Sequence, residues 1–359
     1  MISLAAFGNQ LYYGTRSFEF IKRRKIWYFF AAVVLASSIG GLAINGLKLG
    51  IEFRGGTEFI TTSDIPANQM RTDLEDLGLR QVIVQSVGSD RLAIQTEELT
   101  SAQLSSFTTQ IADLAGAVAS EVTVKSVGPT WGADITRTAL IGIVVFLILV
   151  MIFLSIYFEI RMAAAAFIAL VHDLLVTIGV YAIFGFEVTP ATAIGVLTIL
   201  GYSLYDTVVI FDKVKENVKG VTLQTAQTYD EAANFAINQT VVRSINTSIV
   251  AILPIAGILF IGAYVLRAST LQDLAIALFV GIAAGVYSSI FIATPILTDL
   301  KATDPEIKTL REKVLARREA IATTGIDPYA VTKTETRAKY TAAQGGPRNQ
   351  PKRKSRRLR

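Results

Sequence analysis

Six stretches of the chain are apolar for about 20 residues at a time: Ile26–Leu47, Ala139–Phe158, Ala163–Phe184, Pro190–Phe211, Asn246–Leu266 and Leu274–Leu297. A hydrocarbon core of ~30 Å is crossed by roughly 20 such residues in a helix, so each predicts a membrane span. Between the first and second the pattern changes to short alternating segments. Phe53–Thr62, Gln81–Val87, Asp90–Gln95 and Glu121–Val127 read as strands, and Pro66–Leu77 and Ser101–Val118 carry helical spacing, with Thr100 or Ser101 as N-cap. The predicted fold is an α-helical polytopic membrane protein of six transmembrane helices with a small α+β ferredoxin-like (βαββαβ) external domain.

Charge orients this layout. Lys22, Arg23, Arg24 and Lys25 precede the first span, Lys213, Lys215 and Lys219 follow the fourth, and Lys352, Arg353, Lys354, Arg356 and Arg357 crowd the tail. The short loops Gly185–Thr189 and Gly262–Leu271 hold a single basic residue, Arg267. Basic residues stay on the cytoplasmic side. The expected organisation is therefore a cytoplasmic N-terminus (1–25), a first span (26–47) read as an uncleaved signal anchor, and an extracytoplasmic domain (48–137). Five further spans follow (138–300), with a cytoplasmic loop at about 212–245, and then a cytoplasmic, largely disordered tail (301–359) containing a helix at Asp304–Ala322. The basic tail suits anionic lipid; a basic run without aromatic platforms predicts no specific nucleic acid.

Composition narrows the chemistry. Of 359 residues 52% are hydrophobic and 18% charged, with a net charge of +5. The absence of cysteine excludes disulfides and thiol chemistry, and a single histidine, His172, excludes a histidine-rich metal site. No nucleophile–base pair, paired carboxylates or phosphate loop is visible, so neither an enzyme nor a metal or cofactor is expected.

Polar residues inside the spans are then the candidate sites, because each costs roughly 2.5–3.5 kcal/mol to insert near the bilayer centre. Thr198, Tyr202 and Asp206 recur at intervals of four on one face of the fourth span; Gln239, Arg243, Asn246 and Thr247 share a face in the fifth. An Asp206–Arg243 pair follows, since either charge alone would be expensive. It reads as a fixed helix-locking ion pair or as a site where Asp206 cycles a proton, the guanidinium being unable to titrate. Arg243 could also snorkel to the interface. His172-Asp173 in the third span suggests a helix-packing hydrogen bond or a relay, and Gly281, Gly285 and Ser289 form a small-residue packing stripe in the sixth. Gly55-Gly56 lets the backbone turn as the chain leaves the membrane.

Several segments together resemble the SecF branch of the SecD/SecF family of bacterial protein-export membrane proteins. They are Glu52-Phe53-Arg54-Gly55-Gly56-Thr57, Val171-His172-Asp173, Gly201-Tyr202-Ser203 with Asp206-Thr207-Val208-Val209, Asp212-Lys213 and Glu216-Asn217, Arg243-Ser244-Ile245-Asn246-Thr247-Ser248, and Tyr287-Ser288-Ser289-Ile290-Phe291. The resemblance implies likeness to resistance-nodulation-division transporters and a subunit that works with SecD beside the SecYEG channel, with YajC as a further partner. That subunit uses the proton gradient, without a cofactor, to assist late stages of preprotein export. It implies a proton pathway of Asp206, Arg243 and Thr247, with Tyr202 and Asp173 as neighbours, and a motif Arg54, Gly55, Gly56 and Thr57 where the external domain begins. Glu52, Tyr205 and Ser244 stand where the family commonly has aspartate, asparagine and threonine. Two rivals remain: a stand-alone proton-coupled half-transporter for a small or lipidic molecule, and a structural assembly factor for the channel.

Overall fold

The computed structural model describes residues 4–87, 90–261, 269–325 and 327–328. The chain runs α1 (Leu4–Tyr12), α2 (Arg24–Asn45), β1 (Lys48–Leu49), α3 (Ile51–Arg54), β2 (Gly56–Thr62), α4 (Ala67–Asp76), β3 (Ile83–Val87), β4 (Arg91–Thr96), α5 (Ser101–Ala115), β5 (Thr123–Val127), α6 (Pro129–Tyr157), α7 (Ile160–Phe184), β6 (Glu187–Val188), α8 (Pro190–Val218), α9 (Tyr229–Gly257), α10 (Ser269–Ser288), a π-helical stretch (Ser289–Ala293), α11 (Thr294–Lys301) and α12 (Pro305–Thr324).

Among the described residues, six helical segments are long and apolar enough to cross a membrane: α2, α6, α7, α8 with the turn after it, α9 extended to Ile261, and α10 through α11. Hydropathy locates the apolar middle of a helix and not its ends. The stretch 212–245, expected as a loop, is mostly helix: α8 continues to Val218 and α9 begins at Tyr229. Local chemistry sets those ends. Pro190 opens α8, where Thr189 and Thr192 cap each other, and Thr228 with Glu231 caps α9. The loop residue Arg267 and the basic run of the tail lie outside the described residues.

α7, α8 and α10 form the packed centre. A Cβ added to Gly281 of α10 would overlap Ile199 of α8, and one at Gly285 would come within 2.8 Å of Ser203 Cβ. The glycines thus allow near-backbone contact between α8 and α10.

The sheet domain follows α2. Its four strands lie in the order β3-β4-β2-β5, all antiparallel, which is the ferredoxin-like arrangement. Phe59, Ile94 and Val124 form one cross-strand row, and Phe59 and Ile94 are buried with Met70 and Leu74 of α4 and Ile111 of α5. Thr100 caps α5 through a reciprocal bond with Gln103, and α5 ends at Ala115, short of Val118, because Gly116 adopts φ 70°. The expected strand Phe53–Thr62 starts only at Gly56, since Ile51–Arg54 form a helical turn.

Candidate functional site

The two polar regions singled out within the spans meet α8 at neighbouring positions, Ser203 and Asp206, three residues apart on one side of the helix. Asp173 of α7 is fully buried. Its Oδ2 accepts hydrogen bonds from Ser203 Oγ of α8 (2.5 Å) and Ser288 Oγ of α10 (2.7 Å), and its Oδ1 lies 3.1 Å from His172 Nδ1. Thr207 of α8 meets Ser289 at 2.8 Å one turn along. Ser288 and Ser289 flank the start of the π-helical stretch, whose wider turn places consecutive serines against two different partners on α7 and α8. Three helices are thereby joined around one carboxylate.

Asp206 sits between α8 and α9 and is 6% exposed. Its Oδ1 accepts from Ser244 Oγ at 2.6 Å, while its Oδ2 has no hydrogen-bond partner among the described residues. Arg243 does not pair with it. The guanidinium lies exposed and donates to the Tyr205 hydroxyl at 3.2 Å, with Tyr205 itself 51% exposed. The expected Asp206–Arg243 bridge is therefore replaced by two neighbouring contacts, Ser244–Asp206 within and Arg243–Tyr205 outside. Consecutive residues on a helix point 100° apart, so facing Ser244 toward α8 turns Arg243 away.

The other expected members are distributed around this pair. The Thr247 hydroxyl bonds Arg243 O (2.9 Å), its own preceding turn. The Tyr202 hydroxyl is buried without a partner among the described residues, the Thr198 hydroxyl bonds Ile194 O, and Asn246 is exposed. Gln239 accepts from Asn217 at 2.9 Å. Ser203, Ser244 and Ser288 are the residues that the spacing of charges does not single out; their signal is a small hydroxyl within an otherwise apolar helix.

A third polar cluster joins the sheet domain to the helices. β1, after α2, pairs in parallel with β6, which directly precedes α8. Gln95, Glu58 and Lys125 form a cross-strand row on the sheet face opposite the Phe59 core. The Gln95 amide donates to Glu58 (3.1 Å) and to Glu187 of β6 (2.6 Å), and its carbonyl accepts from Arg54 (3.2 Å); Lys125 pairs with Glu52. Burial holds the Glu58 and Glu187 carboxyls above their ordinary range, opposed by the Gln95 bond and reinforced by neighbouring carboxylates. Gly55 (φ 77°) and Gly56 (φ 131°) complete the junction: a Cβ on Gly55 would come within 2.7 Å of Pro129 Cα, and one on Gly56 would strike Thr96 O. The double glycine thus lets the chain entering the domain cross the start of α6 as it leaves, and Thr57, fully buried, follows at once.

Comparisons with known proteins agree with this architecture. Residues 107–303 match the family described as protein export membrane protein SecD/SecF, C-terminal, and residues 40–64 match the SecD/SecF GG motif. The chain is 45% identical to the protein translocase subunit SecF of Streptomyces coelicolor, over 98% of this chain and 96% of the relative. It is 39% identical to that of Mycobacterium tuberculosis H37Rv, over 88% and 74%. It is also 32% identical to the Bacillus subtilis protein translocase subunit SecDF, covering 80% or less of each: 78% of this chain but 38% of that longer one. The crystal structure of SecDF, a translocon-associated membrane protein from Thermus thermophilus, superposes with a TM-score of 0.72 at 28% identity, over 80% of this chain and 39% of that one. With more than half of its length matched to the family and a SecF chain similar from end to end, the protein belongs to the SecD/SecF family of protein-export membrane proteins.

Proposed function

We propose that the chain is the subunit that, together with a SecD chain, couples the proton gradient to late stages of preprotein export beside the SecYEG channel. The observation that carries the reading is Asp206. It is a buried carboxylate at a helix–helix contact with one oxygen bound and the other without a partner among the described residues, next to a guanidinium that is not bonded to it. A permanently locked ion pair would need Arg243 on the carboxylate. A free oxygen beside a fixed positive charge is instead a place where a proton can be taken up and released.

The partner follows from the same face. Arg243, Tyr205 and Asn246 lie exposed on membrane helices, where an uncovered guanidinium is costly. A SecD chain packed against α8 and α9 would cover them, and the fused SecDF relatives carry both parts in one polypeptide. In this reading both termini lie in the cytoplasm and the sheet domain outside, the orientation that the basic clusters favour. YajC and the translocating preprotein are further partners, and the basic tail meets anionic lipid.

Protonation would weaken the Ser244–Asp206 contact and alter how α8 sits on α9. The other end of α8 is joined through β6 to β1 and through Glu187 to Gln95, so its displacement reaches the sheet domain directly. Thr247 and Tyr202 would supply hydroxyls along the proton's route, and Asp173 would hold the neighbouring helices in place.

The test is export into membrane vesicles carrying Asp206→Asn, with and without a proton gradient, after ATP-driven initiation. Assembly with SecD is checked alongside. Loss of the gradient-stimulated phase alone is expected; full stimulation in an assembled variant contradicts the reading and leaves a structural role.

A further inference from the structure

The end of the bundle where α2 begins holds a second feature that the transport reading does not use. An open cavity of about 890 Å³ lies between the segment before α2, the start of α9 and α12. Three carboxylates line it, and each already holds a cation. Glu19 pairs with Lys22 (3.1 Å), Asp230 with Arg24 (3.1 Å), and Glu231 with Arg318 through two bonds of 2.8 Å. Three further cations line the same space: Lys25 from α2, and Lys308 and Arg311 from α12. All three are exposed, and none has an acidic partner among the described residues. Lys308 and Arg311 are three apart and so share one face of α12. The cavity therefore carries three uncompensated positive charges, converging from two separate elements. Tyr229, 3% exposed, also lines it, and its hydroxyl has no hydrogen-bond partner among the described residues.

Depth decides what kind of anion this would be. Arg24 and Lys25 are the first residues of the first membrane-spanning helix, so the cavity opens at the level of the lipid headgroups. Its lining also includes Ile21, Ile307 and Leu315, apolar surface suited to a glycerol backbone and the start of an acyl chain. A soluble phosphate would use the cations and leave this surface bare.

We propose that the cavity binds the phosphate headgroup of an anionic phospholipid such as phosphatidylglycerol. Lys25, Lys308 and Arg311 neutralise the headgroup, and the lipid fastens α12 to the foot of α2. This site is distinct from the basic run of the tail and does not involve Asp206.

The test uses the full chain, purified with mixed phosphatidylglycerol and phosphatidylethanolamine and examined by native mass spectrometry for retained lipid. The unaltered chain is expected to keep a phosphatidylglycerol molecule that the Lys25→Gln/Lys308→Gln/Arg311→Gln variant loses. A Lys352→Gln/Arg353→Gln/Lys354→Gln variant in the tail should keep it. Lys308→Gln alone, which removes one exposed unpaired cation, should weaken retention roughly fivefold, and this serves if the triple variant fails to fold. Equal retention by the cavity variants and the unaltered chain overturns the proposal, as does loss confined to the tail variant. Inorganic phosphate and a short RNA are the competing probes. If either binds in a manner lost with the cavity variant while no lipid is retained, the site takes a soluble anion or a nucleic acid, and the headgroup assignment is wrong.

Discussion

Asp173 of α7 and Asp206 of α8 are the same side chain, buried in adjacent membrane helices and each bonded to serine, yet their surroundings have little in common. Asp173 is enclosed by α7, α8 and α10 and receives two serine hydroxyls on one oxygen and an imidazole nitrogen on the other. Asp206 receives one serine hydroxyl, keeps one oxygen unpartnered, and lies next to the outer face that carries Arg243 and Tyr205. A buried carboxylate whose oxygens are all bonded is a fastening, since any change in its state disrupts three helices together. One that is half bonded, at the edge of the bundle, can change state while disturbing only one contact. The same residue type thus serves as a fixed point and as a candidate moving part, according to its hydrogen-bond complement.

The comparison breaks most visibly at the fixed point. Asp173→Leu leaves the Ser203 hydroxyl and the His172 nitrogen without their acceptor in the packed centre, at ~1–3 kcal/mol for each unmet group, and Ser288 with only its Gly285 carbonyl. The expected loss of about 3 kcal/mol or more should appear as a large fall in the thermal midpoint of the purified chain, with Asp173→Asn, which keeps an acceptor, falling much less. A midpoint unchanged by Asp173→Leu would remove the fastening role. Next in size is Gly285→Leu. It forces a side chain into the contact with Ser203 and so pries α10 from α8 beside the Asp173 cluster. Overpacking of this kind costs about 1–3 kcal/mol, and the same thermal measurement should place it below Asp173→Leu.

Sequence alone made much of this frame legible. Six long apolar runs and four short alternating segments are local signals, and the helices and sheet that they predict are present. Asp206 stood out for the same reason, a charge inside an apolar run. What the pattern does not contain is the rotation of α9 about its own axis. A shift of one residue decides whether Arg243 or Ser244 faces Asp206, and packing against α8 sets that shift. The Gln95–Glu187 contact was hidden too. It joins residues 92 apart and depends on β1 and β6, two-residue strands with no periodicity to detect. The helical stretches 212–218 and 229–245 are not visible in the pattern because polar helix extensions carry no hydropathy signal.

A smaller effect sharpens the contrast between the membrane clusters and the junction above them. Glu58 and Glu187 share one Gln95 amide, and burial raises both above the ordinary value of 4.5. A carboxyl whose folded value is raised holds its proton more tightly folded than unfolded. Its contribution to stability is therefore fully present below 4.5 and is lost as pH rises through the raised value. The attachment of the sheet domain should strengthen on mild acidification, and Glu187→Gln should flatten that dependence of the thermal midpoint while leaving both aspartates intact. An unchanged pH slope in the variant would show that Glu187 does not contribute to it.

The central claim is that Asp206, and not Asp173, is the intramembrane carboxyl that exchanges a proton. The most direct measurement is the infrared difference spectrum of the membrane-reconstituted chain between acid and alkaline conditions, read in the region of the protonated carboxyl stretch. Unaltered chain, Asp206→Asn and Asp173→Asn are compared side by side. The account predicts a carboxyl band that disappears with Asp206→Asn and persists with Asp173→Asn. A difference spectrum that Asp206→Asn leaves unchanged, or that loses this same component with Asp173→Asn, would contradict it.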